Sequence, residues 1–179
     1  YNKDGLDGVH VHITNSSNLP IECMEAEYPI MVERYEIRND SGGAGEYRGG
    51  LGYRRDYRIL QDTVFSSHGD RQKTAPWGLA GGCDGLPGRF VINPDTPEER
   101  VLPSAKSSEI QLKEGDIMSA QTPGSGGFGN PFKRRVEYVL EDVLNEKVSL
   151  ENAKKYYGVV IDPVSKTVDE KATAQLRQG

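Results

Sequence analysis

The sequence predicts a mainly β protein, an irregular sandwich or barrel with glycine-rich loops, followed by a C-terminal helical tail, so α+β overall. Three observations predict it. Several short segments alternate apolar and polar residues with period two, the spacing of a half-buried strand. Nineteen of the 21 glycines lie before position 130, in blocks that turn the chain rather than extend it. After position 132 the apolar period becomes that of an amphipathic helix. Residues 1–131 therefore read as a glycine-rich β domain, and 132–179 as a helical extension packed on it.

The first 27 residues read as a loop with one short strand, in which Val9, Val11 and Ile13 alternate with His10, His12 and Thr14. That spacing puts both histidines on one face. Tyr28 to Arg38 is a strand by its Ile30, Val32, Tyr35 and Ile37, although the alternation slips near Glu33. Leu51 to Leu60 sets Tyr53, Tyr57 and Ile59 against Arg54, Asp56 and Arg58, and forms a long hairpin with the preceding strand. Asp62 to Ser67 and Arg89 to Ile92 are further short strands. Glu99 to Pro103 and Ser108 to Leu112 are expected to pair with each other. Leu112 to Asp116 then turns the chain into a strand from Ile117 to Gln121.

In the tail, Val136, Val139, Leu140, Val143 and Leu144 share one helical face, which predicts a helix from about Lys133 to Asn145. Ser149 is placed to cap a second helix that stops at Gly158. Val159 to Ile161 reads as a strand, Asp162-Pro163 as a turn, and Asp169 as the cap of a last helix to Arg177.

Three glycine blocks dominate the β part: Asn39 to Gly52, Gly78 to Gly88 and Thr122 to Pro131. The first holds six glycines in 14 positions. Ordering glycine costs more backbone entropy than ordering any other residue. Such blocks are kept where main chain must approach main chain closely, and neighbouring protein is expected to supply the approaching backbone. Asp40 and Ser41, at the head of the first block, either close a turn or help form a backbone nest for an anion. As a nucleotide motif the block fails: Arg48 stands where G-x-G-x-x-G needs its third glycine, and no G-x-x-x-x-G-K-[ST] occurs.

Composition narrows the function. The chain has 35% hydrophobic residues and a mean hydropathy of −0.64, which predicts a thin core. A net charge of −5 argues against general nucleic-acid binding, which needs a basic surface. The basic run Lys133-Arg-Arg135 is expected to be solvated or interfacial. No apolar run approaches the ~20 residues of a membrane span. Two cysteines are too few for a disulfide framework, so reduced thiols and a cytoplasmic location are expected. The start at Tyr1 suggests a piece or a processed product of a longer chain.

Few residues carry obvious chemistry. His10, His12 and Glu22 combine imidazole with carboxylate, which suits a divalent ion, or else a histidine that orients a loop. Thr14, Asn15, Ser16 and Asn18 either close turns or line a polar pocket. In His68-Gly-Asp-Arg71, Asp70 and Arg71 offer a carboxylate and a guanidinium, for an acid-held base or for a clamp that pins a loop. Trp77 is expected in the core or an interface. Cys83 sits in a glycine loop with no histidine near it in sequence. No Ser-His-Asp elbow, H-E-x-x-H or C-x-x-C is present.

Taken together, the three glycine blocks, His12-Ile-Thr-Asn-Ser-Ser-Asn-Leu-Pro-Ile-Glu22 and His68-Gly-Asp-Arg71 resemble the hydantoinase B family. That family holds the B-type subunits of ATP-dependent hydantoinases and 5-oxoprolinases, and related subunits of acetone and acetophenone carboxylases. The motifs stand in family order from about Asp7 to Asp162, and match the C-terminal part of a longer subunit. The family pattern at the first motif is closer to His-Met-Thr-Asn-Thr-x-Asn-Thr-Pro-x-Glu; Ile13, Ser16 and Leu19 depart from it. The resemblance implies a subunit of an ATP-dependent enzyme that opens a cyclic amide of hydantoin or 5-oxoproline type. A ketone carboxylase subunit and a non-catalytic assembly module are the alternatives. It makes His12, Asn15 and Glu22 site-lining candidates; Asp40, Ser41, Asp70 and Arg71 stand, on their own chemistry, as candidates for substrate or anion binding. ATP is expected on an A-type partner subunit and a divalent metal in the remainder of the B-type subunit, so no metal is assigned to this chain.

Overall fold

The computed structural model describes residues 2–8 and 17–178. The alternating segments become β1 (Ile30–Ile37) and β2 (Tyr53–Ile59), an antiparallel pair around the first glycine block. Its register shifts between Val32 and Arg34, so the slip in alternation at Glu33 is a bulge. β3 (Thr63–Ser67), β4 (Arg89–Ile92), β5 (Arg100–Val101), β6 (Ser107–Leu112) and β7 (Ile117–Gln121) follow. A five-stranded sheet runs β1-β2-β7-β4-β5, and β3 pairs with β6 in a separate ribbon.

This topology corrects one pairing. The segments around Arg100 and Ile110 were expected to form a hairpin, but Val101 pairs with Val91, and Ile110 pairs with Phe65. Burial explains the exchange. Ile110 and Leu112 of the ribbon join Phe65, and these pack with Ile59, Ile92 and Met118 of the sheet in one apolar cluster. A local hairpin would leave that sheet face uncovered. Two layers result, mainly β as expected.

Before β1 lies a short helix, α1 (Ile21–Glu27), where the sequence suggested loop. None of its residues is buried and no side chain caps it, so neither usual helix signal was present to read. The expected strand with His10 and His12 lies outside the described residues.

The tail forms α2 (Val136–Leu144), α3 (Leu150–Tyr157) and α4 (Glu170–Arg177). A single 3-10 turn at Pro131–Lys133 precedes α2, with Asn130 Oδ1 accepting from Phe132 N–H at 2.9 Å. Ser149 Oγ accepts from Asn152 N–H at 3.1 Å, Gly158 ends α3 in the left-handed region at φ 64°, and Asp169 Oδ1 accepts from Ala172 N–H at 2.9 Å. These are the expected caps. Val159 to Ile161 is not a strand; one bridge, Ile161 to Val168, is what forms. Val139, Ala153, Tyr157 and Val159 bury against Ala44 of the first glycine block, each large side chain contributing about 1.5–3 kcal/mol.

The glycine blocks stack on one another. Gly43 N–H donates to Ser125 at 2.8 Å, Cys83 N–H to Ala44 at 2.7 Å, and Gly127 N–H to Cys83 at 2.9 Å. A Cβ at Gly127 would stand 2.2 Å from the Ala44 carbonyl oxygen, and one at Gly124 would stand 1.9 Å from that of Ser41. The approaching backbone was expected from neighbouring protein. It is the chain's own: three loops distant in sequence form one hydrogen-bonded seam.

Candidate functional site

Two clefts flank this seam. The first, about 430 Å³, is lined by the N-terminal segment, Arg48 and α2. Arg48 and Arg134 are both buried and converge on Asp142 of α2, at 3.4 Å and 2.8 Å. Arg134 also forks onto Asp4 at 2.6 and 2.7 Å, while Asp7 binds Arg48 at 3.3 Å and Lys147 at 3.1 Å. Burial alone would raise the carboxyls of Asp4 and Asp7. Contacts to Arg134 for Asp4, and to Leu51 N–H and Lys147 for Asp7, hold both below the usual range. At Asp142 burial wins and the carboxyl is pushed up. Three cations face three carboxylates, so the cluster is electrically closed. It acts as a clasp joining the N-terminal segment, glycine block and tail. The basic run Lys133-Arg-Arg135 was expected to be solvated or interfacial; its middle residue, Arg134, is instead buried within the chain at 2% exposure.

The second cleft, about 600 Å³, has the chemistry of a binding site. Alternation along β2 puts Tyr53, Arg55 and Tyr57 on one face, and the β1 register brings Tyr35 opposite Arg55. The Arg55 guanidinium lies 4.1 Å over the Tyr35 ring and donates to Tyr57 Oη at 3.1 Å. Burial works against its charge, but the hydroxyls of Tyr57 and Tyr35 more than offset this and raise its pKa. Asn18 Nδ2 donates to Tyr35 Oη at 3.1 Å. Aromatic walls with a fixed guanidinium and phenols suit a small, flat, polar molecule.

Sequence reasoning named none of these tyrosines as site residues, nor Arg55. The signal was the period-two pattern itself, which places Arg55 on the tyrosine face. Gly8 and Asn18 both line the cleft, and the segment between them carries His12 and Asn15, which lie outside the described residues.

The other candidates are dispersed. Glu22 is exposed on α1. Asp40 adopts φ 59° and its Oδ1 accepts from Ser149 N–H at 2.8 Å, pinning the α2–α3 turn. Ser41 is fully buried; its hydroxyl donates to the Arg38 carbonyl at 2.5 Å and accepts from Gly52 N–H at 2.9 Å. Asp70 and Arg71 lie in an exposed loop, where Asp70 is 4.0 Å from Lys106 and Arg71 stacks on Trp77 at 4.6 Å. Trp77, expected in the core or an interface, is 59% exposed under that arginine. The half-buried Cys83 has its thiol pushed up by burial and by Asp84, the reverse of an activated nucleophile.

Among the described residues no three His, Cys, Asp or Glu side chains are grouped to hold a metal ion, and no helix is long and apolar enough to cross a membrane.

Known proteins are similar to this chain in sequence and fold. An uncharacterized protein of Methanocaldococcus jannaschii is 44% identical over 162 residues, 89% of this chain and 28% of that protein. The caprolactamase subunit beta of Pseudomonas jessenii is 35% identical over 159 residues, 86% of this chain and 27% of the subunit. The crystal structure of that ATP-dependent caprolactamase superposes with a TM-score of 0.77 at 32% identity, covering 89% of this chain and 28% of its own. Nucleotide-free acetone carboxylase superposes at 0.84 with 23% identity, over 98% of this chain and 28% of its own, which is a likeness of fold. The chain thus spans under a third of the length of these proteins. The profile described as hydantoinase B/oxoprolinase matches residues 1–131, with the glycine seam inside the match, and the chain belongs to that family.

Proposed function

We propose that the chain is part of a B-type subunit of a multi-subunit, ATP-dependent cyclic amide hydrolase, and that the tyrosine cleft contributes to holding the amide ring. The observation that carries this reading is the 35% identity to a caprolactamase subunit along 86% of the chain. The cleft supports it chemically. Tyr35 and Tyr53 offer apolar faces to ring methylenes, and Arg55 with Tyr57 offers donors to a carbonyl oxygen. Donors fixed in this way stabilise the negative charge that develops on the oxygen as the carbonyl is attacked. His12, Asn15 and Glu22 stay site-lining candidates in this reading on the strength of the family motif alone. Asp40, Ser41, Asp70 and Arg71 position loops. ATP binds an A-type partner, and the divalent metal belongs to the remainder of the B-type subunit. Residues 132–179 act as a helical extension clasped to the 1–131 unit, a division supported by the end of the family match at 131.

The test is reconstitution with an A-type partner, measuring ADP release and ring opening with caprolactam, hydantoin and 5-oxoproline. ATP turnover that requires a cyclic amide supports the proposal. Turnover that requires bicarbonate and a ketone would replace it with the carboxylase reading. No turnover with either, from an intact complex, would leave an assembly module.

A further inference from the structure

We propose that Arg38 and Arg89 form a binding site for an oxyanion, the phosphate or carboxylate of a small molecule, in a cleft of about 660 Å³ beside the α2–α3 turn. Register places the site. Glu36, Arg54, Gln121 and Arg89 are cross-strand partners in a row over β1, β2, β7 and β4, and Arg38 follows Glu36 by two residues, in line with that face. Three of the cleft's charged side chains are committed elsewhere: Glu36 to Arg34, Arg54 to Asp56 and Asp95, and Lys147 to Asp7.

Arg38 and Arg89 differ from their neighbours. Arg38 Nη1 donates to the carbonyls of Pro87 at 2.7 Å and Thr122 at 3.3 Å, and Arg89 Nε donates to Gln121 Oε1 at 2.7 Å. These acceptors are neutral. They aim both guanidiniums without balancing their charge, and neither has an ion-pair partner among the described residues. Glu146, also on the cleft wall, is exposed and makes no ion pair there either. Burial and the nearby charge of Arg89 lower the Arg38 pKa to about 10. Two half-buried guanidiniums held in mutual repulsion, with donor groups left over, favour an anion that bridges them in the fork geometry arginine offers to carboxylate and phosphate.

The site goes beyond the cyclic amide reading and is tested without turnover. Equilibrium dialysis of the full chain with inorganic phosphate or with succinate, at ionic strength matched with chloride, measures binding directly. Saturable binding of at least one of them is expected. Arg89→Gln and Arg38→Gln should each weaken it about tenfold or more, whereas Arg100→Gln on β5 should bind as the parent does. Preference for phosphate or for succinate identifies the source of the acidic group. If Arg38→Gln does not fold, Arg89→Gln alone decides. No saturable binding of either anion, or equal binding by the Arg89 variant, overturns the proposal.

Discussion

Arg134 and Asp4, 130 residues apart, meet as a two-pronged fork at 2.6 and 2.7 Å, and the same guanidinium reaches Asp142 at 2.8 Å. One side chain thus ties the N-terminal segment to the helical tail. Asp4→Asn leaves Arg134 one charged partner and should destabilise the chain by about 1–3 kcal/mol at pH 7. The folded pKa of Asp4 lies below its ordinary value, so its contribution is present above about pH 4 and fades as the pH falls through that lower value. Urea melts of parent and variant should therefore differ at pH 7, and the difference should shrink as the pH is taken progressively below about 4. A constant difference would mean that the carboxylate charge is not what matters.

At Asp142 the consequence is larger. Its removal leaves Arg48 and Arg134 buried with fewer acceptors. Asp142→Ala should cost about 3–5 kcal/mol by chemical denaturation, the range for breaking a buried pair. A loss under about 1 kcal/mol would show that water or Asp4 and Asp7 compensate fully.

The seam makes a sharper forecast. Gly127→Ala drives a methyl group into the Ala44 carbonyl, and neither backbone can yield without parting the loops. A loss of about 3 kcal/mol or more, or insoluble protein, is expected. Gly115→Ala is the control. Nothing lies within 4 Å of its added Cβ, so only the φ of 90° opposes it, at about 1 kcal/mol. Equal thermal shifts for the two variants would count against close approach as the role of Gly127.

In the tyrosine cleft, Tyr57→Phe removes the acceptor that holds Arg55 while keeping the ring. Within the reconstituted enzyme, kcat/KM for a cyclic amide should fall about 10–100-fold with little change in melting temperature. An unchanged kcat/KM would exclude this hydroxyl from the site.

Much of the secondary structure was legible because its determinants are local. Tyr53 and Tyr57 alternate with Arg54 and Asp56 within one strand, and Ser149, Gly158 and Asp169 act on backbone groups three to five residues away. α1 escaped notice because Ile21–Glu27 buries nothing and has no side-chain cap. The candidate site was less legible. Sequence pointed to polar residues in loops, whereas the cleft is built from tyrosines and an arginine that read equally well as an ordinary half-exposed strand face.

The amino-acid order by itself determined the family, the two-part composition and where strands, caps and turns fall. Backbone preference and side-chain period act over a few residues, so a short window contains them. Only the tertiary structure decided that β5 joins β4 while β6 joins β3, that the three glycine loops press on each other, and that Arg48, Arg134 and Asp142 share one buried cluster. Those outcomes depend on which distant surfaces best exclude water and neutralise charge together, and no single stretch of the chain holds both partners.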